Sequence, residues 1–281
     1  MATVYFFNGT QSGTADGSYA DPYDLTQLAT QESSSTLGDV FIFKDGTYAL
    51  GADRTFSGGA GISYQAESDR GVIFDANGNH FVFGVSDNVG ATVDFSLSGF
   101  DFIDFANANS HAFYILMDIT NTVTFNRCLI ENQTSGAAGG IIGKANTTEH
   151  MNVVFNQCVL DISSTASGAE AFRDQNGTSA ALASLTLNGC TLKHSTGGTS
   201  NIFDRTGTTV IKNTILYGGN SGISLGSFSS LTESYNCYYN VNQSADPANN
   251  IIVDDPQFVD SADGDYRLRS TSPCINAGTA S

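Results

Sequence analysis

The segment Val123-Thr-Phe-Asn-Arg-Cys-Leu-Ile130 returns as Val153-Val-Phe-Asn-Gln-Cys-Val-Leu160 and again as Leu185-Thr-Leu-Asn-Gly-Cys-Thr-Leu192. Weaker copies stand at Val93-Asp-Phe-Ser-Leu-Ser-Gly-Phe100, Thr209-Val-Ile-Lys-Asn-Thr-Ile-Leu216 and Ser230-Leu-Thr-Glu-Ser-Tyr-Asn-Cys-Tyr-Tyr239. Aligning the copies places Phe100, Cys128, Cys158, Cys190, Thr214 and Cys237 at one position, with separations of 28, 30, 32, 24 and 23 residues. Periods of this size with variable insertions indicate stacked supersecondary units. Inside the first copy Val123 and Phe125 alternate, Asn126 and Arg127 intervene, and Cys128 and Ile130 resume. Alternation marks a strand, and the two-residue slip marks a bend that returns the chain to the same core.

Asn tolerates a left-handed backbone better than other non-glycine residues. Asn126, Asn156 and Asn188 share the bend position. They are therefore expected to take that conformation and to bond amide to amide from unit to unit. A second short strand falls between the frames at Gly140-Ile-Ile-Gly-Lys, Glu170-Ala-Phe-Arg-Asp, Asn201-Ile-Phe-Asp-Arg and Gly222-Ile-Ser-Leu. Earlier counterparts are Phe81-Val-Phe-Gly and Ala112-Phe-Tyr-Ile-Leu. Three short strands per turn, each pairing with its counterpart one turn on, make an all-β parallel β-helix. At the usual strand spacing, about eight coils give a rod on the order of 40 Å long.

The 281 residues are 40% hydrophobic, enough for a packed core. Acidic residues outnumber basic ones 28 to 11, for a formal charge of −17. Such a surface repels a phosphate backbone, which excludes nucleic acid as a partner. No apolar run reaches the roughly 18 residues of a membrane span, so membrane insertion is excluded as well. The first residues, Met1-Ala-Thr-Val-Tyr-Phe-Phe, have no secretory pattern, and synthesis in the cytosol is expected. The five Cys contain no Cys-x-x-Cys pair; Cys128, Cys158 and Cys190 are read as reduced, inward thiols, with neither zinc nor a disulfide framework. His80, His111, His150 and His194 share no metal spacing and are read as surface or bend residues.

Both ends carry further motifs. Asp24 is an N-cap candidate for a short helix presenting Leu25, Leu28 and Ala29, suited to cover the open end of the first coil. Pro22-Tyr-Asp-Leu25 and the run Gly38-Asp39 to Gly46-Thr-Tyr48 open the chain, while Asp255-Pro-Gln-Phe-Val-Asp260, Gly264-Asp-Tyr-Arg-Leu268 and Ser272-Pro-Cys-Ile-Asn-Ala-Gly278 close it. With the coils between them, these segments resemble the right-handed parallel β-helix proteins of the pectate-lyase-like superfamily. The resemblance implies one domain over 1–281, with a cap at 1–38, coils over 39–250 and an end segment at 251–281. It leaves activity open, since the superfamily includes lyases, hydrolases, epimerases, phage tailspikes, other virion parts and adhesins.

In lyase-like members the resemblance implies a substrate on the outer face of the second strand. Lys144, Asp174 and Arg205 then stack at one position, with Gly143, Arg173 and Asp204 beside it. A basic residue beside carboxylates suits proton abstraction and charge stabilisation. Alternating signs from coil to coil equally suit an ion-pair ladder, which is the favoured reading. The short connections Glu131–Gly139 and Arg205–Thr208 raise no walls around a ligand. Asp254, Asp255, Asp260, Asp263 and Asp265 are read as turn formers ahead of a Ca²⁺ site, and Asp94, Asp101 and Asp104 as solvated. The expectation is a non-catalytic structural or adhesive protein without cofactor or metal, assembled in a host cytoplasm into a virion as a capsid decoration, fibre or spike module. Its expected partners are copies of itself, with a trimer implied by the resemblance, other virion proteins and a surface polysaccharide. The alternative is a lyase or glycosidase acting on an extracellular or capsular polysaccharide through Lys144, Arg173, Asp174, Asp204 and Arg205, and the alternative location is extracellular or at the cell surface.

Overall fold

The computed structural model describes residues 4–9, 15–56, 61–84, 94–105, 111–116, 122–134, 140–144, 151–164, 170–174, 182–195, 201–218, 223–242, 251–252 and 255–278. The strands of its coils form three stacks. The first stack runs through Val4–Phe7, Val40–Phe43, Ser63–Ala66, Phe95–Ser98, Thr122–Asn126, Met151–Asn156 and Leu182–Asn188. The second runs through Arg54–Phe56, Phe81–Gly84, Phe113–Leu116, Ile142–Lys144 and Phe172–Asp174. The third holds nine strands, from Gly46–Ala49 to Ile251–Ile252. Pairing within every stack is parallel, as in the column Val123, Val153, Leu185, Thr209. The chain is a right-handed parallel β-helix, the hand that parallel crossovers take.

The repeat register places the strands as expected, but the two connections expected to be loops are not: Glu131–Thr134 belongs to the strand Leu129–Thr134. The connection Arg205–Thr208 is not a loop, because Asn201–Lys212 is one continuous strand joining the second stack to the first. Ile223–Ser234 repeats this in the next coil. The frame position after Thr214 is filled by Asn236, and Cys237 stands one residue on, paired with Ile215. Asn236 Oδ1 accepts from the Thr214 N–H at 3.0 Å, as Thr214 Oγ1 accepts from the Cys190 N–H at 3.3 Å. A polar side chain there closes the last bends through the main chain, which a thiol does poorly.

The bend is likewise displaced by one residue. Asn126, Asn156 and Asn188 end their strands, and the left-handed residue follows each: Arg127 at φ 50°, Gln157 at 55° and Gly189 at 65°. Gly99, Asn213 and Tyr235 take the same place in other coils, and Arg70 at φ 60° stands one residue earlier in its own. The Asn amides form the expected ladder, with Asn156 Nδ2 donating to Asn126 Oδ1 at 3.0 Å and Asn188 Nδ2 to Asn156 Oδ1 at 3.3 Å. Asn126 Nδ2 continues it to Ser98 Oγ at 3.3 Å. A side chain bonding along the stack must leave a strand backbone, so the reversal falls on its neighbour. The left-handed cost of about 1–2 kcal/mol for an L-residue is opposed by the coil-to-coil bonds Arg127 N–H to Asn156 O, 2.9 Å, and Gln157 N–H to Asn188 O, 2.8 Å.

The core changes character along its length. Phe81, Phe113, Ile142, Phe172 and Phe203 make one inward column of the second stack, and Tyr48, Phe74, Phe102, Ile130, Leu160, Leu192 and Leu216 one of the third. Aligned rings stack directly, as in Phe125–Phe155 with centroids 4.7 Å apart. Burying each such ring contributes about 1.5–3 kcal/mol. Cys128, Cys158 and Cys190 are buried as expected. His111 and His194 are fully buried rather than at the surface, because both occupy inward positions; His194 shares a column with Ile162 and Asn132. His150 lies outside the described residues. The next coil leaves no room for a side chain at Gly140, where an added Cβ would lie 1.9 Å from the Glu170 carbonyl oxygen.

At the N-terminal end Asp24 caps the turn Leu25–Gln27, accepting from the Thr26 and Gln27 N–H groups. The helix Leu28–Ser34 follows and buries Leu28 and Glu32, while Ala29 is exposed, contrary to expectation. Glu32 is tolerated inside because the Tyr64 hydroxyl donates to it at 2.5 Å. Among the described residues no helix is long and apolar enough to cross a membrane.

Candidate functional site

The outward column Leu129, Val159, Thr191 and Ile215 of the third stack is half-buried. Its cover is an antiparallel hairpin, Phe258–Asp260 and Asp265–Leu268, laid along the outside of the coils. Asx turns shape this hairpin: Asp260 accepts from the Ala262 and Asp263 N–H groups, and Asp265 from that of Arg267. Asp255 does the same for Gln257. The turn-forming role expected of this acidic run is therefore seen at Asp255, Asp260 and Asp265, while Asp254 lies outside the described residues. Between hairpin and sheet runs a groove of about 430 Å³, lined by Arg70, Leu129, Val159, Thr191 and the segment 263–267. A pocket of about 270 Å³ continues it past Thr191 and Tyr266 to the chain end at Cys274 and Gly278.

The groove is fastened by a cluster drawn from three elements. Asp161 on Val159–Ser164 and Lys193 on Thr191–Ser195 are opposite one another in the register. Lys193 Nζ lies 3.1 Å from Asp161 Oδ2 and donates to the Ser261 carbonyl at 3.3 Å. The Tyr266 hydroxyl, from the hairpin, donates to the same carboxylate oxygen. Burial and then the Asp161 charge push the Tyr266 phenol well above its ordinary pKa, so it stays a donor. The surrounding charges are also matched. Arg70 makes a bidentate pair with Asp101 at 2.7 and 3.0 Å, which corrects the solvated reading of Asp101. Asp94 accepts from the Thr122 N–H at 3.0 Å. Arg127 Nε meets Asp69 at 2.9 Å. The hydrogen bond from Arg267 holds the Asp265 carboxyl down to about 2.

The strip expected to carry chemistry lies on a different face. Lys144, Arg173, Asp174, Asp204 and Arg205 all belong to strands of the second stack. The backbone register is the expected one, pairing Gly143 with Arg173, Lys144 with Asp174, and Arg173 with Asp204. The side chains of these five residues lie outside the described part of the molecule.

The Asp161–Lys193–Tyr266 cluster escaped the sequence reading although one signal for it was present. Extending the repeat alignment one residue past Ile130, Leu160 and Leu192 puts Glu131, Asp161 and Lys193 in one column. Opposite charges at a shared position announce a coil-to-coil pair. Nothing local ties Tyr266 to that column, since 105 residues separate it from Asp161.

No family model matches this chain, and no curated protein matches it. Among solved structures it is similar to a PL6 family polysaccharide lyase from Pseudopedobacter saltans, at 16% identity and a TM-score of 0.43 over 77% of this chain and 62% of that one. A mannuronic-acid-specific family 6 polysaccharide lyase from human gut microbiota is similar at 12% identity and a TM-score of 0.36, over 85% of this chain and 55% of that one. The pectate lyase Pel9A is similar at 12% identity and a TM-score of 0.33, over 99% of this chain and 92% of that one. The chain thus spans less than two thirds of the length of the first two.

Proposed function

We propose that this chain is a non-catalytic structural or adhesive β-helix protein, a rigid coil stack that serves as a module of a virion or a cell-surface fibre. The observation that carries the reading is the use made of the ionisable groups around the groove. Asp161 is occupied by Lys193 and Tyr266, Arg70 by Asp101, Arg127 by Asp69 and Arg267 by Asp265. A general base must reach a substrate proton and a charge clamp must face a developing charge. Groups committed to one another instead fix the hairpin and bends to the coils. Self-association into a homo-oligomer, with a trimer as the first arrangement to test, belongs to the same reading; sedimentation at low and raised salt measures it, because a charge of −17 opposes assembly most at low salt.

The second reading, a polysaccharide lyase or glycosidase, is favoured by the register on the second stack, which sets Lys144 beside Asp174 and Arg173 beside Asp204. Incubation with acidic and neutral polysaccharides, with and without Ca²⁺, separates the two. The structural reading predicts no new reducing ends and no unsaturated-product absorbance. Turnover that disappears in Arg173→Ala or Asp174→Ala overturns it. Mass spectrometry of purified virus particles, set against washed cell surfaces, distinguishes the two settings.

A further inference from the structure

The last residues of the chain turn back onto the final coils. Ser272, largely buried, donates through Oγ to the Pro256 carbonyl at 2.6 Å and through its N–H to the Arg269 carbonyl at 2.9 Å. The Cys274 N–H donates to Ser272 Oγ at 3.2 Å, which fixes the backbone at Cys274. Gly278 lies against Asn213, whose Oδ1 would be 2.9 Å from an added Cβ. This path brings Cys274, half-buried, into the same 270 Å³ pocket as Cys237, which is 2% exposed on the eighth strand of the third stack. Both side chains line this one cavity.

We infer that Cys237 and Cys274 are a redox-sensitive thiol pair, and that their oxidation to a disulfide locks the C-terminal end onto the coils. The inference is independent of the adhesive reading above. Hydrogen bonding from the Cys237 thiol holds the Cys274 thiol below its ordinary pKa, outweighing the burial that opposes it. Cys274 is therefore the attacking sulfur, since the thiolate is the nucleophile and it is the more accessible of the two. The co-reactant is a small-molecule disulfide such as oxidised glutathione. Cys274 attacks one of its sulfurs, forming a mixed disulfide and releasing one glutathione thiol. Cys237 then displaces the second glutathione, so that two protein thiols are oxidised, one disulfide is reduced and both protons leave on the released thiols. Cys128, Cys158 and Cys190 also follow one another from coil to coil, but their thiols donate to backbone carbonyls and Cys158 is enclosed by the core, which pushes its thiol pKa up and denies an oxidant access. Closing the 36 residues between 237 and 274 into a loop restricts the tail.

The test is oxidation of the folded full-length protein by oxidised glutathione, followed by thiol counting after denaturation and tryptic mapping without reductant. Cleavage after Lys212, Arg267 and Arg269 leaves Cys237 and Cys274 on separate peptides, 213–267 and 270–281. The expected result is a fall from five thiols to three, with these two peptides joined. Cys274→Ser is expected to keep all four of its thiols. Cleavage of the tail at 269–278 by a nonspecific protease should slow at least tenfold on oxidation. Glutathione persisting on Cys274, a linkage among Cys128, Cys158 and Cys190, an unchanged thiol count or an unchanged cleavage rate would each overturn the inference.

Discussion

Asn156 is bonded on both sides, donating to Asn126 and accepting from Asn188, so replacing it removes two links of the ladder together. Asn156→Ala is expected to lower unfolding stability by about 1–3 kcal/mol, because half-buried amide groups on both neighbours lose their partners. The next residue obeys a different rule. Gln157 stands at φ 55°, so Gln157→Val should cost about 1–2 kcal/mol whereas Gln157→Gly should cost nothing. Urea denaturation of the three variants checks this; equal losses at both positions would contradict the division of labour between ladder and bend. The Asn column was legible in the sequence because its members share a frame position. The backbone conformation was not, because the outward residue at the bend is Arg, Gln, Gly, Asn or Tyr and leaves no compositional trace. Buried His194 was missed for a related reason: the inward alternation continues two residues past the frame, into Asn132 and Ile162.

The C-terminal hairpin depends on few fastenings. Lys193→Met leaves the Asp161 carboxylate buried with the Tyr266 and Ser163 hydroxyls and no cation, and removing one partner of a buried pair costs about 3 kcal/mol. Amide exchange in Asp265–Leu268 is expected to quicken in this variant, and Asp161→Asn combined with Lys193→Met to lose less protection than Lys193→Met alone. An unchanged exchange rate would show that the hairpin is held by Phe258, packed edge-on against Tyr217 and Tyr266, and not by the charges. The same fastening depends on pH with a defined sign. The Tyr266 phenol has its pKa raised in the folded state, so its contribution is fully present below the ordinary tyrosine value of about 10 and is lost as pH rises beyond it. Strands were the most legible elements, since period-two alternation fixes both existence and face. The hairpin's two strands were visible only as end motifs, and their docking was not legible because it pairs positions from opposite parts of the chain.

Across the molecule, aromatic rings fill the N-terminal coils and smaller aliphatic and thiol side chains the later ones. Phe74 and Phe102 stack with centroids 5.4 Å apart, whereas the matching positions further along are Ile130, Leu160 and Leu192. The number of coils was underestimated by one, because Ile251–Ile252 adds a ninth strand to the third stack beyond the last recognisable repeat. What makes the molecule a rod is the superposition of coils, and spin labels on one outward column read it directly. Ser96, Thr124, Val154, Thr186, Val210 and Thr232 occupy successive coils of the first stack. Pairs formed between Ser96 and each of Thr186, Val210 and Thr232, in a Cys274→Ser background, should give narrow distance distributions. Their centres should advance by about 4.8 Å per coil. Distances that fail to grow in equal steps, or that are broad at every pair, would contradict the stacked helix.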